Sequence, residues 1–451
     1  MQTNIMKLLF LNTCKVKLCL ILLFITSTSI NAQSCLPEGI IFYDQASIDE
    51  FSTNYPNCTI IEGNVSIQGS VSNLNGISQI EEIHGSVEIG QAHNLFDLSG
   101  LDNLILIEGG LYIFENNNLT NLNGLDNLIS TETLHITANI NLEDISALNI
   151  MEIDNAIAIT NNDKLNTLNG LNNILSLSYL LIDGNDVLLD LSGLDNLTTV
   201  NMNIDILRND SLLNLSGLDA LTHTGYLIIS DNESLQSLNG LEALTTTNGD
   251  IYIQLNNQLN DISNLSSLNT VNGSFNIIQN NHLSSLNGLE GLTSINGNLG
   301  IGNNFQLSSI EGIKNIDAET ITNLYITQNT NLSECAVQSV CDFLNINPAN
   351  TEIILNAAGC ENRQEIENAC ALGTDEYRLS EIKIFPNPTN GTFEISGLES
   401  GTVRIIDSQG RTVKEMISGE VSYSISDLTA GIYFIKITSE KYSVIKQLIK
   451  T

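Results

Sequence analysis

Apolar side chains in the middle of the chain recur with a period of 23 to 25 residues. Within each period, an apolar residue, one intervening residue and an isoleucine are followed three positions later by an asparagine. Two apolar side chains separated by one residue are typical of a short β-strand, and a fixed long period is typical of a stacked solenoid. The isoleucines are Ile113, Ile136, Ile159, Ile182, Ile206, Ile229, Ile253, Ile277, Ile301 and Ile326.

The asparagines that follow these strands occupy one equivalent position in every repeat. An asparagine tolerates tight turns and its amide bonds to backbone groups, so we expect each one to form a corner of its coil. Amides stacked at the same corner would bond to one another as a structural ladder. The predicted ladder consists of Asn116, Asn139, Asn162, Asn185, Asn209, Asn232, Asn256, Asn280, Asn304 and Asn329.

Between the strands, apolar residues continue at every third position, as in Leu119, Leu122, Leu125 and Leu128. An amphipathic helix would show a period of 3.6 and an isolated strand a period of two, so this stretch forms the remaining sides of each coil. A glycine such as Gly124 permits a second corner. The pattern predicts a mainly β protein whose body is a right-handed, leucine-rich parallel β-solenoid.

After residue 374 the long repeat gives way to short alternating runs, at 382–384, 392–395, 403–406 and 432–437. Turn-forming residues separate these runs. Strands at this spacing predict a small antiparallel β-sandwich at the C-terminus.

The first 32 residues have the layout of a secretory signal peptide. Lys7, Lys15 and Lys17 precede the apolar run 18–25, and small residues lead to Ala32. No later segment reaches the roughly 18 apolar residues that a membrane span needs. We therefore predict an exported chain without a transmembrane segment.

Charge divides the chain in the same way. Residues 33–373 hold four Lys and Arg against 41 Asp and Glu, whereas residues 374–451 hold nine against ten. We predict a signal peptide over 1–32, a solenoid over 33–373, and a linker with a C-terminal domain over 374–451. A solenoid needs caps at its ends, and we place them at residues 33–62 and 333–373. The acidity argues against a nucleic-acid partner.

Six cysteines follow the predicted signal peptide, and all lie in the predicted caps. An even number in an exported chain predicts disulfides. Cys35 and Cys58 form the natural first pair, while the other four allow three pairings among which the sequence does not choose. Residues 336–344 have helical spacing and are expected to cover the last coil. The cysteines are Cys35, Cys58, Cys335, Cys341, Cys360 and Cys370.

Residues 57–67, Asn-Cys-Thr-Ile-Ile-Glu-Gly-Asn-Val-Ser-Ile, followed by Leu-x-x-Leu-x-Gly-Leu coils, resemble the receptor L domain. This leucine-rich β-helix occurs in the ectodomains of the insulin and epidermal-growth-factor receptors. The likeness covers roughly residues 33–373. The chain has more coils than one receptor L domain and a different C-terminal cysteine cap, so a growth-factor function is not implied.

Residues 380–451 resemble the type A C-terminal sorting domain of the Gram-negative type IX secretion system. The landmarks are the segments 385–391, 407–411, 428–433 and 446–450. The resemblance implies recognition by the type IX machinery at the outer membrane, removal of the domain, and surface attachment or release. The implied sorting residues are Pro386, Asn387, Pro388, Gly391, Gly410, Gly431, Tyr433 and Lys446.

The sequence contains no catalytic motif of the common types. The five histidines form no H-E-x-x-H pair, and there is no P-loop or G-x-S-x-G. A polysaccharide lyase usually needs a Lys or Arg beside acidic residues, yet Lys164, Arg208 and Lys314 lie in distant coils. We therefore predict no catalytic residues and no cofactor.

Calcium is the alternative for the cofactor, because aspartates in neighbouring coils offer the oxygen ligands that this cation prefers. The glycine-rich nonapeptide that binds calcium in β-helices is absent, so we favour a solvated acidic face and no metal. The aspartates concerned are Asp183, Asp186, Asp205 and Asp210.

The outward positions of the strands form the candidate binding face. Aromatic and aliphatic side chains that point to water in a row can mark an interface, although β-propensity alone also places Tyr and Ile on exposed strands. The candidates are Tyr112, Phe114, His135, Leu181, Asp183, Asp205, Leu207, Ile228, Tyr252, Gln254, Ile278 and Tyr325.

These observations predict a secreted or cell-surface, non-enzymatic binding or adhesion protein. Its ligand would be a protein or a glycan held on the solenoid sheet. Two alternatives stay open at this point: a β-helix hydrolase or lyase that acts on neutral glycans, and a structural component of a surface layer.

Overall fold

The computed structural model describes residues 33–371, 382–396, 401–417, 422–438 and 443–451. The predicted signal peptide lies outside these residues. The buried side chains form two separate hydrophobic clusters, one from Phe42 to Ile366 and one from Ile382 to Leu448. No helix in the described part of the chain is long and apolar enough to cross a membrane.

The larger cluster fills a parallel β-solenoid. Its main sheet stacks one strand from every coil in chain order, each hydrogen-bonded in parallel to the strand of the next coil. The strands are Ile40–Phe42, Val65–Ile67, Val87–Gly90, Leu111–Phe114, Ser130–Thr137, Glu152–Thr160, Ser176–Asp183, Thr199–Leu207, His223–Ser230, Ile251–Gln254, Phe275–Ile278, Leu299–Gly302, Leu324–Thr327 and Thr351–Ile354.

A narrower parallel strip precedes the main sheet in every coil up to the one that contains the strand Leu299–Gly302. In the five coils between Ser130 and Ser230 it runs directly into the main strand through a shift of register, which gives strands of eight or nine residues. These coils therefore differ from the short strands that the repeat predicts. The separate pieces are Gln33–Cys35, Cys58–Ile61, Glu82–Ile83, Leu106–Ile107, Thr246–Thr247, Thr270–Val271 and Ser294–Ile295.

The inward residues of each coil are removed from water. Leu119, Leu122, Leu125 and Leu128 each expose 0% of their surface, and the equivalent residues of other coils behave alike. Burial of a leucine side chain contributes on the order of 2 kcal/mol, so the repeated pattern stabilises every coil against its neighbours. The predicted parallel solenoid is confirmed.

The asparagines lie in a buried column at the corner after the main strand. The Asn139 side chain donates to the carbonyl of Ile113 at 2.9 Å and accepts from the backbone N–H of Asn116 at 3.0 Å. The residue before each asparagine has a positive φ, for example 54° at Glu115, so the chain turns sharply there. The column also includes Asn356, which the repeat did not predict and which accepts from the N–H of Asn329 at 3.0 Å.

Both ends of the solenoid carry helices and disulfides. Helices Gln45–Asp49 and Phe51–Asn54 lie at the first end, where Cys35 is bonded to Cys58. Helix Gln338–Ile346, which begins two residues later than predicted, and helical residues 363–371 lie at the other end. The pairing there is Cys335 with Cys360 and Cys341 with Cys370. Short 3-10 segments are Asn75–Ile77, Ser263–Leu265, Glu311–Ile313, Ala318–Thr320 and Pro348–Asn350.

The C-terminal residues form two small antiparallel sheets, as predicted. The sequence pattern did not identify the strands Thr412–Ile417 and Ser443–Lys450. One sheet comprises Lys383–Phe385, Thr392–Ser396 and Tyr423–Ser424, and the other comprises Thr412–Ile417, Thr402–Ile406, Gly431–Thr438 and Ser443–Lys450 in that spatial order.

Candidate functional site

The outward side chains of the main sheet form two rows. In the first row Tyr112 lies opposite His135, Leu181 opposite Asp205, and Ile228 opposite Tyr252. Ala158 fills the place between His135 and Leu181, so the row is continuous from coil to coil. Tyr325 belongs to the same row but is separated from Tyr252 by Asn276 and Gly300.

The second row lies two residues further along each strand. Asp183 is opposite Leu207, and Gln254 is opposite Ile278. The ring of Phe114 lies over Gly90 of the preceding coil, where a Cβ atom would collide with it. The structure therefore brings most of the predicted face together, and Phe114 and Tyr325 lie toward its two ends.

The tyrosines of this face are held by neighbouring polar groups. The Tyr252 hydroxyl donates to Asp250 at 3.1 Å, and the Tyr112 ring meets the His135 ring edge-on with 5.1 Å between centroids. Burial raises the pKa of the Tyr252 hydroxyl, and the charge of Asp250 raises it further. Burial lowers the pKa of His135. The hydrogen bond to Asp250 and the contact between the Tyr112 and His135 rings therefore restrain the orientation of these side chains.

Asp183 and Asp205 correct the sequence prediction, which placed both carboxylates in water. They are only 8% and 9% exposed. The Tyr179 hydroxyl donates to Asp205 at 2.7 Å, and the Arg208 guanidinium donates to Asp183 at 2.5 Å, so the larger side chains cover the smaller ones. One oxygen of each aspartate has no hydrogen-bond partner among the described residues.

Burial has the largest effect on the pKa of Asp205. It raises the pKa of this carboxyl, the hydrogen bond from Tyr179 lowers it, and the charge of Asp183 raises it again. Burial and the bond to Asp205 raise the pKa of the Tyr179 hydroxyl in turn. The middle of the face therefore holds a compact polar cluster of Tyr179, Asp183, Asp205 and Arg208.

Sequence reasoning missed Tyr179, Tyr226 and Asp250. Tyr179 and Tyr226 directly precede the inward pairs of their strands, a position that the predicted short strands leave out and that the longer strands Ser176–Asp183 and His223–Ser230 bring into the sheet. Asp250 directly precedes the short strand Ile251–Gln254. Tyr226 is 45% exposed and its ring covers Gly249 of the next coil. An aromatic residue directly before the apolar pair, as at Tyr179 and Tyr226, was the sequence signal that could have identified these two positions.

The four aspartates considered for calcium do not form one cluster. Asp183 and Asp205 belong to the sheet face, whereas Asp186 and Asp210 line a groove of about 310 Å³ beyond the asparagine corner. Burial, followed by the charges of Asp210 and Asp163, raises the pKa of Asp186. Across the described ranges no group of three or more His, Cys, Asp or Glu is arranged to hold a metal ion. The calcium alternative stays untested.

The predicted sorting residues occupy turns and strands of the C-terminal sheets. The Asn387 side chain donates to the carbonyl of Gln447 at 2.7 Å and accepts from the N–H of Ile449 at 2.9 Å. The Tyr433 hydroxyl donates to the carbonyl of Thr429 at 2.8 Å. Lys446 is partly exposed in the last strand. Lys450 of the same strand is buried instead.

The remaining predicted sorting residues shape the turns of this region. Pro386 and Pro388 both follow cis peptide bonds, and Gly391 and Gly410 have positive φ angles of 136° and 82°. Gly431 begins the strand Gly431–Thr438. Gly391 and Gly410 thus adopt backbone conformations that favour glycine.

Fold and site together define an acidic, disulfide-capped leucine-rich solenoid followed by a small antiparallel β domain. Residues 57–176 match the family model of the receptor L domain, and residues 383–451 match that of the secretion system C-terminal sorting domain. Both resemblances drawn from the sequence are confirmed. The solenoid continues well beyond the matched segment, to the strand Thr351–Ile354.

A crystal structure of a leucine-rich repeat protein from Bacteroides ovatus is similar to this chain. The two share 14% identity over 61% of this chain and 80% of the other, with a TM-score of 0.15. A search of the curated proteins finds no match.

The sorting domain fixes the destination of the chain. It marks proteins that the type IX secretion system exports to the cell surface or the extracellular space, and it implies an interaction with that machinery. The protein is therefore a secreted or surface protein built on a receptor-L-domain-like solenoid.

Proposed function

We propose that this protein is a non-enzymatic binding protein that holds a protein or a neutral glycan on the main sheet of its solenoid. The sorting domain delivers it to a location where such ligands are accessible. The observation that carries the proposal is the set of tyrosines on the sheet face: Tyr112 and Tyr252 lie in the first row on either side of the polar cluster, and Tyr226 lies two residues before that row.

Three physical features support a binding role for this face. Tyrosine rings supply large contact area and lose little conformational entropy on binding, particularly where a hydrogen bond already fixes them. The cluster of Tyr179, Asp205, Asp183 and Arg208 offers specific polar contacts at its centre. The excess of carboxylates in the solenoid repels anionic ligands, which favours a neutral or cationic one.

A capture experiment tests the proposal. The purified protein is immobilised and exposed to cell-surface extracts and to a glycan array, and the dissociation constant of each captured ligand is measured. We expect a triple variant, Tyr112→Ser with Tyr226→Ser and Tyr252→Ser, to bind at least about tenfold more weakly, because aromatic anchors dominate interface energy.

The matched control is Phe96→Ser. Phe96 is 62% exposed but lies outside the main sheet, so this variant should bind as the parent does. Equal binding by the triple variant and the parent would assign the ligand to another surface. Turnover of a glycan by the purified protein, lost on changing an acidic pair, would show an enzyme. Ordered self-association without any captured ligand would favour a surface-layer component.

A further inference from the structure

Successive coils in the first half of the solenoid place large apolar side chains at one corner, just before the narrow strip. Backbone hydrogen bonds show that these corner positions are equivalent. The Met151 N–H donates to the Ile129 carbonyl at 2.8 Å, and the Ile129 N–H donates to the Ile105 carbonyl at 2.9 Å. Leu175 occupies this corner in the next coil, and its carbonyl accepts a hydrogen bond from the Thr198 N–H. These four residues, Ile105, Ile129, Met151 and Leu175, are 39%, 50%, 63% and 57% exposed.

Later coils show what the fold itself requires at this corner. Thr198, Thr222 and Thr245 occupy it, and each hydroxyl donates to the carbonyl of the preceding coil, at 2.9, 3.2 and 3.1 Å. A threonine therefore satisfies the corner and keeps it polar. Met151 and Leu175 are not β-branched, so strand propensity does not account for them. The apolar residues are a departure from the repeat that exposes hydrophobic surface.

Three of these residues, Ile105, Ile129 and Met151, line a groove rather than a flat surface. Its volume is about 270 Å³, and aspartates and asparagines of three successive coils form its edges. The lining consists of Asp102, Asn103, Ile105, Asp126, Asn127, Leu128, Ile129, Asn149 and Met151.

The surroundings of the groove carry negative charge only. Residues 33–163 contain 19 Asp and Glu and no Lys or Arg. Asp102 and Asp126 accept from the N–H groups of Gly100 and Gly124 at 2.8 and 3.0 Å.

The turn itself does not require this charge. In a later coil Asn172 makes the equivalent bond to Gly170 at 3.1 Å, so a neutral amide closes the same turn. The negative charge at the edge of the groove is therefore additional to the needs of the fold.

We infer that this groove docks an amphipathic polypeptide segment that combines apolar side chains with lysine or arginine. The apolar row would receive the hydrophobic side chains, and Asp102 and Asp126 would pair with the cationic ones. A second copy of this chain fits poorly, because two surfaces without a single Lys or Arg repel each other. The inference is independent of the ligand proposed for the main sheet.

The test uses short synthetic peptides as probes. One alternates leucine and lysine so that one face is apolar, and its partner has every leucine replaced by glutamine with the lysines kept. We expect the leucine–lysine peptide to bind the purified protein measurably more tightly than the glutamine–lysine peptide. Its binding should weaken at high salt because the ion pairs are exposed. Bound peptide should also protect Met151 from oxidation by peroxide.

Each test variant introduces the residue that another coil of the solenoid carries at the equivalent position. A further variant outside the groove is the control. The double variant Ile129→Thr with Met151→Thr should bind the leucine–lysine peptide about tenfold more weakly, a change of about 1.4 kcal/mol. Asp102→Asn with Asp126→Asn should weaken binding at low salt and have little effect at high salt. Leu189→Thr, which removes an apolar residue that is 53% exposed outside the groove, should leave binding unchanged.

Each other outcome overturns the inference. No binding of the leucine–lysine peptide, or equal binding of both peptides, would show that the groove does not recognise this class of segment. Unchanged affinity in the threonine variant would place the peptide elsewhere. Self-association of the parent that the threonine variant loses would identify a second copy as the occupant.

Discussion

Asparagine side chains bridge backbone groups in both parts of the protein, but the two parts use them differently. In the solenoid the same amide recurs in every coil from Asn116 to Asn356 and is buried, as at Asn209. In the C-terminal domain Asn387 makes a comparable pair of bonds once, at an exposed position. Repetition makes the first role visible in the sequence, whereas the second is visible only in the structure.

The largest expected effect comes from removing one amide from the middle of the asparagine column, which tests the buried role of these side chains. Asn209→Ala removes the side-chain donor to the carbonyl of Ile182 and the acceptor of the Asn185 N–H, while the carbonyl of Leu207 keeps its bond from the Gly184 N–H. Buried polar groups left without partners cost about 1–3 kcal/mol each, so we expect a loss of about 4 kcal/mol in the free energy of unfolding. Chemical denaturation of the purified protein measures it.

Asn209→Asp is the matched variant, because it keeps the acceptor oxygens and loses only the donors. It should be less destabilising at low pH, where the carboxyl is protonated, than at neutral pH. A loss below about 1 kcal/mol for Asn209→Ala would contradict the structural role of the column.

The cap of the solenoid gives the second largest effect. The bond between Cys335 and Cys360 closes a loop across a sequence separation of 25 residues. Replacing both cysteines by serine should lower the free energy of unfolding by roughly 3 kcal/mol, mainly by freeing the unfolded chain. The measurement is again denaturation, with the reduced parent as control. Equal stability of variant and oxidised parent would show that this bridge is dispensable.

Asn387→Ala should have a smaller effect than Asn209→Ala. Water can satisfy the groups that the exposed amide leaves, so a loss of about 1 kcal/mol is expected for the C-terminal domain. Proteolytic susceptibility of the strand Ser443–Lys450 reports it, and Asn390→Ala is the control in the same segment. A loss as large as that of Asn209→Ala would remove the distinction drawn here.

Asp205 provides the smallest and most specific prediction. Its folded pKa is raised, so the folded state binds this proton more tightly than the unfolded chain does. The contribution of Asp205 to stability is therefore greatest below its unfolded pKa and declines as the pH rises through its folded pKa. Asp205→Asn should gain stability relative to the parent between acidic and neutral pH, as measured by denaturation at several pH values. The opposite slope would contradict this assignment.

The periodic sequence predicts the coils, their inward leucines and ten asparagines of the column. Asn356 escaped prediction because the helix Gln338–Ile346 lengthens the last coil, which puts it 27 residues after Asn329. The sequence did not predict the burial of Asp183 and Asp205 either. It depends on Tyr179 and Arg208, which lie 26 and 25 residues from the carboxylates that they cover. Such contacts arise between coils and follow no repeat.

The same reasoning explains why function is harder to predict than fold. Residues that recur satisfy the coil itself, while departures from the repeat, such as Tyr226 on the sheet or Met151 at the corner, add chemistry that the coil does not need. The outward positions of the strands could be predicted because they alternate with the inward ones, while their role in binding stays a prediction. Which of its side chains reach water depends on the size of their neighbours.

Hydroxyl-radical footprinting with a captured ligand tests the central claim, that the outward face of the main sheet is the binding surface, most directly. We predict that oxidation of Tyr112, Tyr226 and Tyr252 falls when the ligand is bound, while oxidation of Phe96 and Phe305 does not change. Protection of the two phenylalanines with the tyrosines left as reactive as before would contradict it.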